Sequence, residues 1–117
     1  MSRTRAESWG RRAEGYAAIW LQLKGYRILA RRVRTPAGEI DLVVRRGRQV
    51  AFVEVKARGD LRAAAEALNS RGTHRIGQAA KFLLSRYLKA GESARFDAVL
   101  VRPWRLPVHM MGAWLGD

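Results

Sequence analysis

The chain contains no cysteine. Disulfides, thiolate metal sites and cysteine nucleophiles are therefore excluded, and the absence fits a reducing cytoplasm. Histidine is scarce: His74 and His109 are the only two. Neither sits in an HxxxH or HExxH spacing, so nothing points to a zinc centre, and no Ser-His-Asp set can be assembled around them. Phosphate-cradling loops of the GxGxxG or GxxxxGK[ST] type are missing. No apolar run approaches the ~18 residues of a membrane span. The basic N-terminus is not followed by the apolar stretch of a signal peptide. Acids are few: 10 Asp and Glu stand against 23 Lys and Arg, a net charge of +13.

What is present fits one compact domain over residues 1–117, with 48% hydrophobic residues to build its core. A small domain this basic repels itself unless it meets a polyanion, and nucleic acid is the usual one. No segment has the clean apolar face of an interfacial helix, so a membrane partner is not expected.

Periodicity divides the chain. Residues 7–24 read as a helix, with Trp9, Ala13, Tyr16, Ala17, Trp20 and Leu23 as one apolar stripe. Gly25 supplies its C-terminal stop. Residues 26–34 read as a strand and Thr35-Pro36-Ala37-Gly38 as a turn. Residues 39–46 and 49–56 form a hairpin around Gly47-Arg48, where glycine suits a type II′ turn. The alanine-rich connection over 58–70 has room for a short helix. A second long helix starts near Thr73, with Ile76, Ala79, Ala80, Leu83, Tyr87 and Leu88 on its apolar face. Residues 94–101 form a strand, and the tail from Val108 adds a short edge strand. The order α-β-β-β-α-β describes an α/β domain with a mixed sheet and a helical crossover.

The scarce acids collect in the hairpin. A two-residue turn at Gly47-Arg48 sets Asp41 opposite Glu54, Glu39 opposite Lys56 and Val43 opposite Phe52, all on one face. Ile40, Leu42, Val44, Val53 and Val55 fall on the other face, as core. Carboxylates facing one another repel. A hard divalent cation offsets that repulsion: Mg²⁺ takes oxygen ligands and is often held by one or two carboxylates. Asp41 and Glu54 are thus the candidate metal ligands. Lys56, two residues beyond Glu54, is placed to orient a water or to stabilise developing charge. The competing explanation is a surface ion-pair cluster in which Glu39 pairs with Lys56. On periodicity alone Glu14 is a solvated helix residue near Arg11, and Asp97 pairs with Arg95 or a backbone donor.

An Asp on one strand and Glu-x-Lys on the next is the pattern of the PD-(D/E)xK nucleases, and the αβββαβ order agrees with their restriction-endonuclease-like core. At finer grain the chain resembles the YraN family, small bacterial proteins that are predicted endonucleases. The matching segments are Gly10…Glu14-x-x-Ala17, Gly25-Tyr26, Gly38-Glu39-Ile40-Asp41-Leu42, Phe52-Val53-Glu54-Val55-Lys56-x-Arg58, Arg95-Phe96-Asp97 and Pro107-x-His109. The resemblance, which extends to archaeal Holliday-junction resolvases, implies a phosphodiesterase using Mg²⁺ or Mn²⁺ on nucleic acid, DNA rather than RNA. Carried over by position, it implies Asp41, Glu54 and Lys56 as the catalytic set, Glu14 as the helix carboxylate that completes it, and Glu39 as an accessory residue. Arg58, within the matching segment, is a candidate nucleic-acid contact. The PD dipeptide is absent, with Ile40 before Asp41. The lysine that usually opens the second long helix is also absent, so a nucleic-acid contact there falls to Arg71 or Arg75. Resolvases act as dimers, and the apolar tail around Met110, Met111 and Trp114 reads either as such an interface or as a core flap. Two alternatives keep the same fold: a non-catalytic nucleic-acid-binding module, and an assembly protein serving a ribonucleoprotein partner.

Overall fold

The computed structural model describes residues 3–57 and 72–112. Helix α1 spans Arg3–Leu23. It ends where Gly25 adopts a left-handed φ of 94°. The Tyr26 N–H then donates to the Leu21 carbonyl at 3.0 Å and the Gly25 N–H to the Gln22 carbonyl at 3.0 Å. This paired closure satisfies two carbonyls that the helix itself leaves open. Strands β1 (Arg27–Thr35), β2 (Gly38–Arg46) and β3 (Gln49–Ala57) follow as an antiparallel meander. Helix α2 (Gly72–Tyr87) leads to β4 (Ser93–Val101), which lies parallel to β3, and β5 (Val108–Met110) closes the far edge. The sheet has five strands in the order β1-β2-β3-β4-β5. The expected αβββαβ order and the edge strand are both present. The proposed short helix over 58–70 lies outside the described residues.

The hairpin has the expected register. Val43 pairs with Phe52, and Arg46 pairs with Gln49 across Gly47-Arg48. Gly47 has a positive φ of 62° while Arg48 does not, as a type II′ turn requires. The ladder, however, stops at Leu42 and Val53. Beyond that point β2 and β3 part.

Both faces of the sheet are core. Leu42, Val44, Ala51, Val53, Val99 and Val101 pack under α1. Val43, Val50, Phe52, Ala98 and Leu100 pack with Ala79 and Leu83 of α2. Ile40 belongs to this second cluster, not with Leu42. The alternation of β2 therefore breaks at Asp41, which corrects the expectation of an unbroken apolar face.

The stripe expected on α1 is also corrected. The residues that bury against the sheet are Ala13, Ala17, Ala18 and Leu21. Tyr16 and Leu23 are 50% and 76% exposed. Small side chains let the helix lie close to the sheet, and Tyr16, Ile19 and Leu23 are turned onto its outer flank. Ala79 and Leu83 of α2 are buried as expected. Among the described residues no helix is long and apolar enough to cross a membrane.

Candidate active site

The site forms where the β2–β3 ladder ends. Continued register would set Ile40 opposite Val55. Instead the Val55 N–H donates to Asp41 Oδ2 at 2.8 Å. The Asp41 side chain takes the place of a strand partner, and this exchange is what opens the hairpin. Direct opposition of Asp41 and Glu54 as a ladder pair is thus not formed, although the two remain electrostatic neighbours.

Burial raises the Asp41 carboxyl from its ordinary 3.8 to about 6. The Val55 N–H works against this rise, while the nearby charges of Glu14, Glu54 and Glu39 add to it. The expected carboxylates do gather around Asp41. They come from α1, from the start of β2 and from the end of β3.

Each of the others has its own setting. Glu54 pairs through Oε1 with Lys56, two residues on and on the same side of β3. Its second oxygen, Oε2, is buried and accepts no hydrogen bond among the described residues. An unmatched buried carboxylate oxygen is costly. Glu14 Oε2 accepts from Arg32 Nε at 2.8 Å. That replaces the expected neighbour Arg11. Glu39 is exposed and lies 3.5 Å from Arg34 of β1, its ladder partner. The expected Glu39–Lys56 pair is not formed, because β2 and β3 have already separated there. Arg58 and Arg71 lie outside the described residues. Arg75 lies on α2, and its side chain is outside the described residues.

Arg32 was not distinguishable in the sequence from the other scattered arginines. It sits in β1 with a left-handed φ of 51°. The β1–β2 register pairs Arg31 with Leu42 and Val33 with Ile40, which leaves Arg32 and Asp41 at the step between. A non-glycine residue in this conformation costs roughly 1–3 kcal/mol and is held by its surroundings. Here the distortion aims the guanidinium at Glu14.

Among the described residues no group of three or more acidic or imidazole side chains converges tightly enough to cage an ion alone. The donor set nevertheless suits a hard divalent cation with a largely aqueous shell. Among the described residues Glu54 Oε2 has no partner and Asp41 engages the backbone through Oδ2, and burial together with the surrounding acids disfavours charge on Asp41.

A second polar cluster lies away from these acids. Asp97 on β4 is fully buried. Its oxygens accept from Arg95 Nε at 2.7 Å, Arg95 Nη2 at 2.8 Å and the Gly112 N–H at 3.0 Å. His109 Nε2 lies 2.7 Å from Asp97 Oδ2, and the opposite ring nitrogen meets Lys24 Nζ. Arg95 also donates to the Tyr26 hydroxyl at 2.6 Å. The expected Asp97–Arg95 pair is present. His109, isolated in the sequence, completes a network that ties the α1–β1 junction to the last strand.

Fold and site together define an α/β protein with the αβββαβ arrangement of a restriction-endonuclease-like core and an acidic cluster at the open end of its hairpin. The chain belongs to the uncharacterised protein family UPF0102, the YraN family, whose pattern matches residues 13–101. It is similar to a UPF0102 protein of Rhizorhabdus wittichii, 50% identical over 115 residues, covering 98% of both chains. A UPF0102 protein of Parvibaculum lavamentivorans is 58% identical over 106 residues, 90% of this chain and 80% of its own. One from Mesorhizobium japonicum is 54% identical over 116 residues, covering 98% and 93%.

Proposed function

We propose that this chain is a cytoplasmic, metal-dependent endonuclease that binds DNA or structured nucleic acid, DNA in preference to RNA, and hydrolyses its phosphodiester bonds. The observation that carries this reading is the buried, unmatched Glu54 Oε2 beside an Asp41 whose carboxyl is pushed up to about 6, in a chain of net charge +13. An otherwise cationic surface concentrates acids at one point, and the surrounding acids disfavour charge on Asp41.

Asp41 and Glu54 would hold Mg²⁺ or Mn²⁺. When bound, such an ion supplies Lewis-acid polarisation of a phosphoryl oxygen and of a water. The remaining work falls to the protein. Lys56, held by Glu54, presents an ammonium that orients the attacking water and offsets charge developing on the phosphate. Glu14, steadied by Arg32, sets the local field on Asp41. Glu39 lies at the rim, where it tunes the same field. Arg58, Arg71 and Arg75 serve as phosphate contacts of the kind that position a duplex without reading its sequence.

One observation favours a non-catalytic binder. Glu14 and Glu54 each already have a cationic partner, Arg32 and Lys56. Cleavage of labelled DNA, with Mg²⁺ or Mn²⁺ supplied, separates the two readings. Asp41→Ala should lower cleavage at least about a thousandfold, comparable with the loss of a transition-state stabiliser, while salt-sensitive DNA binding persists. Unchanged cleavage in that variant rules out the assigned site. Binding without turnover in the wild type leaves the binding module.

A further inference from the structure

An aromatic-lined groove lies apart from the acidic site. The outer flank of α1 and the loop between β4 and β5 enclose an open groove of about 760 Å³. Its walls carry Trp9, Tyr16, Trp20 and Trp104, and Arg12, Arg102 and Arg105 stand among them. Among the described residues no acidic one lines it. Trp104 is fully exposed and has a left-handed φ of 60°. Arg102 Nε is buried with no acceptor among the described residues. A solvent-facing tryptophan on strained backbone, beside an unsatisfied guanidinium, is a poor arrangement for stability alone.

We propose that this groove binds unpaired nucleotides, a single-stranded segment flanking the duplex engaged at the acidic site. The proposal rests on the nucleic-acid reading above and adds the structure of the substrate. Aromatic faces interleaved with guanidinium groups suit single strands, since every base has a face that stacks and every phosphate needs a cation. A duplex keeps its base faces covered and cannot enter such a cleft. Position supports the same occupant. β3 and β4 are parallel, with Lys56 beside Leu100 and Ala57 beside Val101. The groove begins at Val101 and Arg102. It therefore opens on the strand next to the one that carries Lys56 and at the same end of the sheet, on the face covered by α1.

The test is fluorescence anisotropy at low salt with two labelled probes, an oligothymidylate and a blunt duplex of equal length. Wild type, Trp104→Ala and Arg105→Ala are compared. Both side chains lie on the exposed loop, and circular dichroism checks the fold. Trp104→Ala should weaken oligothymidylate binding about tenfold, as expected for the loss of one stacked base, and leave duplex affinity nearly unchanged. Arg105→Ala should weaken the single strand and steepen no other dependence. Equal losses on both probes, or no loss on either, overturn the groove assignment while leaving the acidic site intact. A change of sedimentation in Trp104→Ala without a change in oligothymidylate affinity also overturns it, in favour of a contact between two copies of the chain. If the wild type binds neither probe, the nucleic-acid reading itself fails, and the groove assignment fails with it.

Discussion

At the scale of single residues, Asp41 and Asp97 have opposite relations to their surroundings. Burial and neighbouring acids raise Asp41 to about 6, above its ordinary 3.8. The folded state therefore holds that proton more tightly than the unfolded chain does. Its ionisation destabilises the metal-free protein fully above about pH 6, and the penalty vanishes below the unfolded value. Asp41→Asn keeps an oxygen for the Val55 N–H and removes the charge. It should stabilise the metal-free protein by about 1–3 kcal/mol at pH 7, with the gain fading toward pH 4, as read by urea unfolding at a series of pH values. A substitution that stabilises the fold and removes function would mark Asp41 as kept for chemistry. The short turn made the hairpin register legible in the sequence, from Val43–Phe52 to Arg46–Gln49. The opening of the strands was not legible, since it depends on a side chain replacing a backbone group, which alternation cannot encode.

At the scale of elements, β1 and α1 hold the lessons. Arg32 spends its conformational strain on reaching Glu14. The two effects are separable. Arg32→Val puts a β-branched residue at positive φ and should cost at least about 2 kcal/mol. Arg32→Asn tolerates that backbone and loses only a partly exposed ion pair, a cost under about 1 kcal/mol. Thermal or urea unfolding of both variants checks this, and equal losses would show that the backbone at 32 is not strained. In α1 the apolar stripe read from the sequence mixes aromatic residues with alanines. The sheet takes its alanine side, extended to Ala18 and Leu21, because Ala13, Ala17 and Ala18 allow a close approach. The same choice obscured Glu14. Judged against the large residues it lies off to one side, whereas judged against the alanines it borders the sheet at Asp41.

At the scale of the whole molecule, the Asp97 network joins segments that are remote in the chain. Burial alone would raise this carboxyl, but His109, Arg95 and the Gly112 N–H hold it at about 2. Its folded value lies below the unfolded one. The stability it contributes is complete above about pH 4 and is lost as pH falls toward 2. Asp97→Asn should cost about 3 kcal/mol at neutral pH, because it leaves the half-buried Arg95 beside an uncharged group, and stability should become less sensitive to pH in that window. Denaturant titrations at pH 7 and pH 3 test both parts. Of this network only the local Asp97–Arg95 pair was readable in advance. Tyr26, His109 and Gly112 reach it through the fold, across separations that neither period nor motif spacing reports.

That network also sets an order of events during synthesis. On the ribosome Asp97 emerges before His109 and Gly112. Until they arrive, β4 carries a carboxylate that must be buried without all the donors that hold it. A nascent chain halted before His109 should remain open to proteases however complete its first four strands are. The last short strand, the smallest element in the sheet, thus acts as the latch that commits the chain to its folded state.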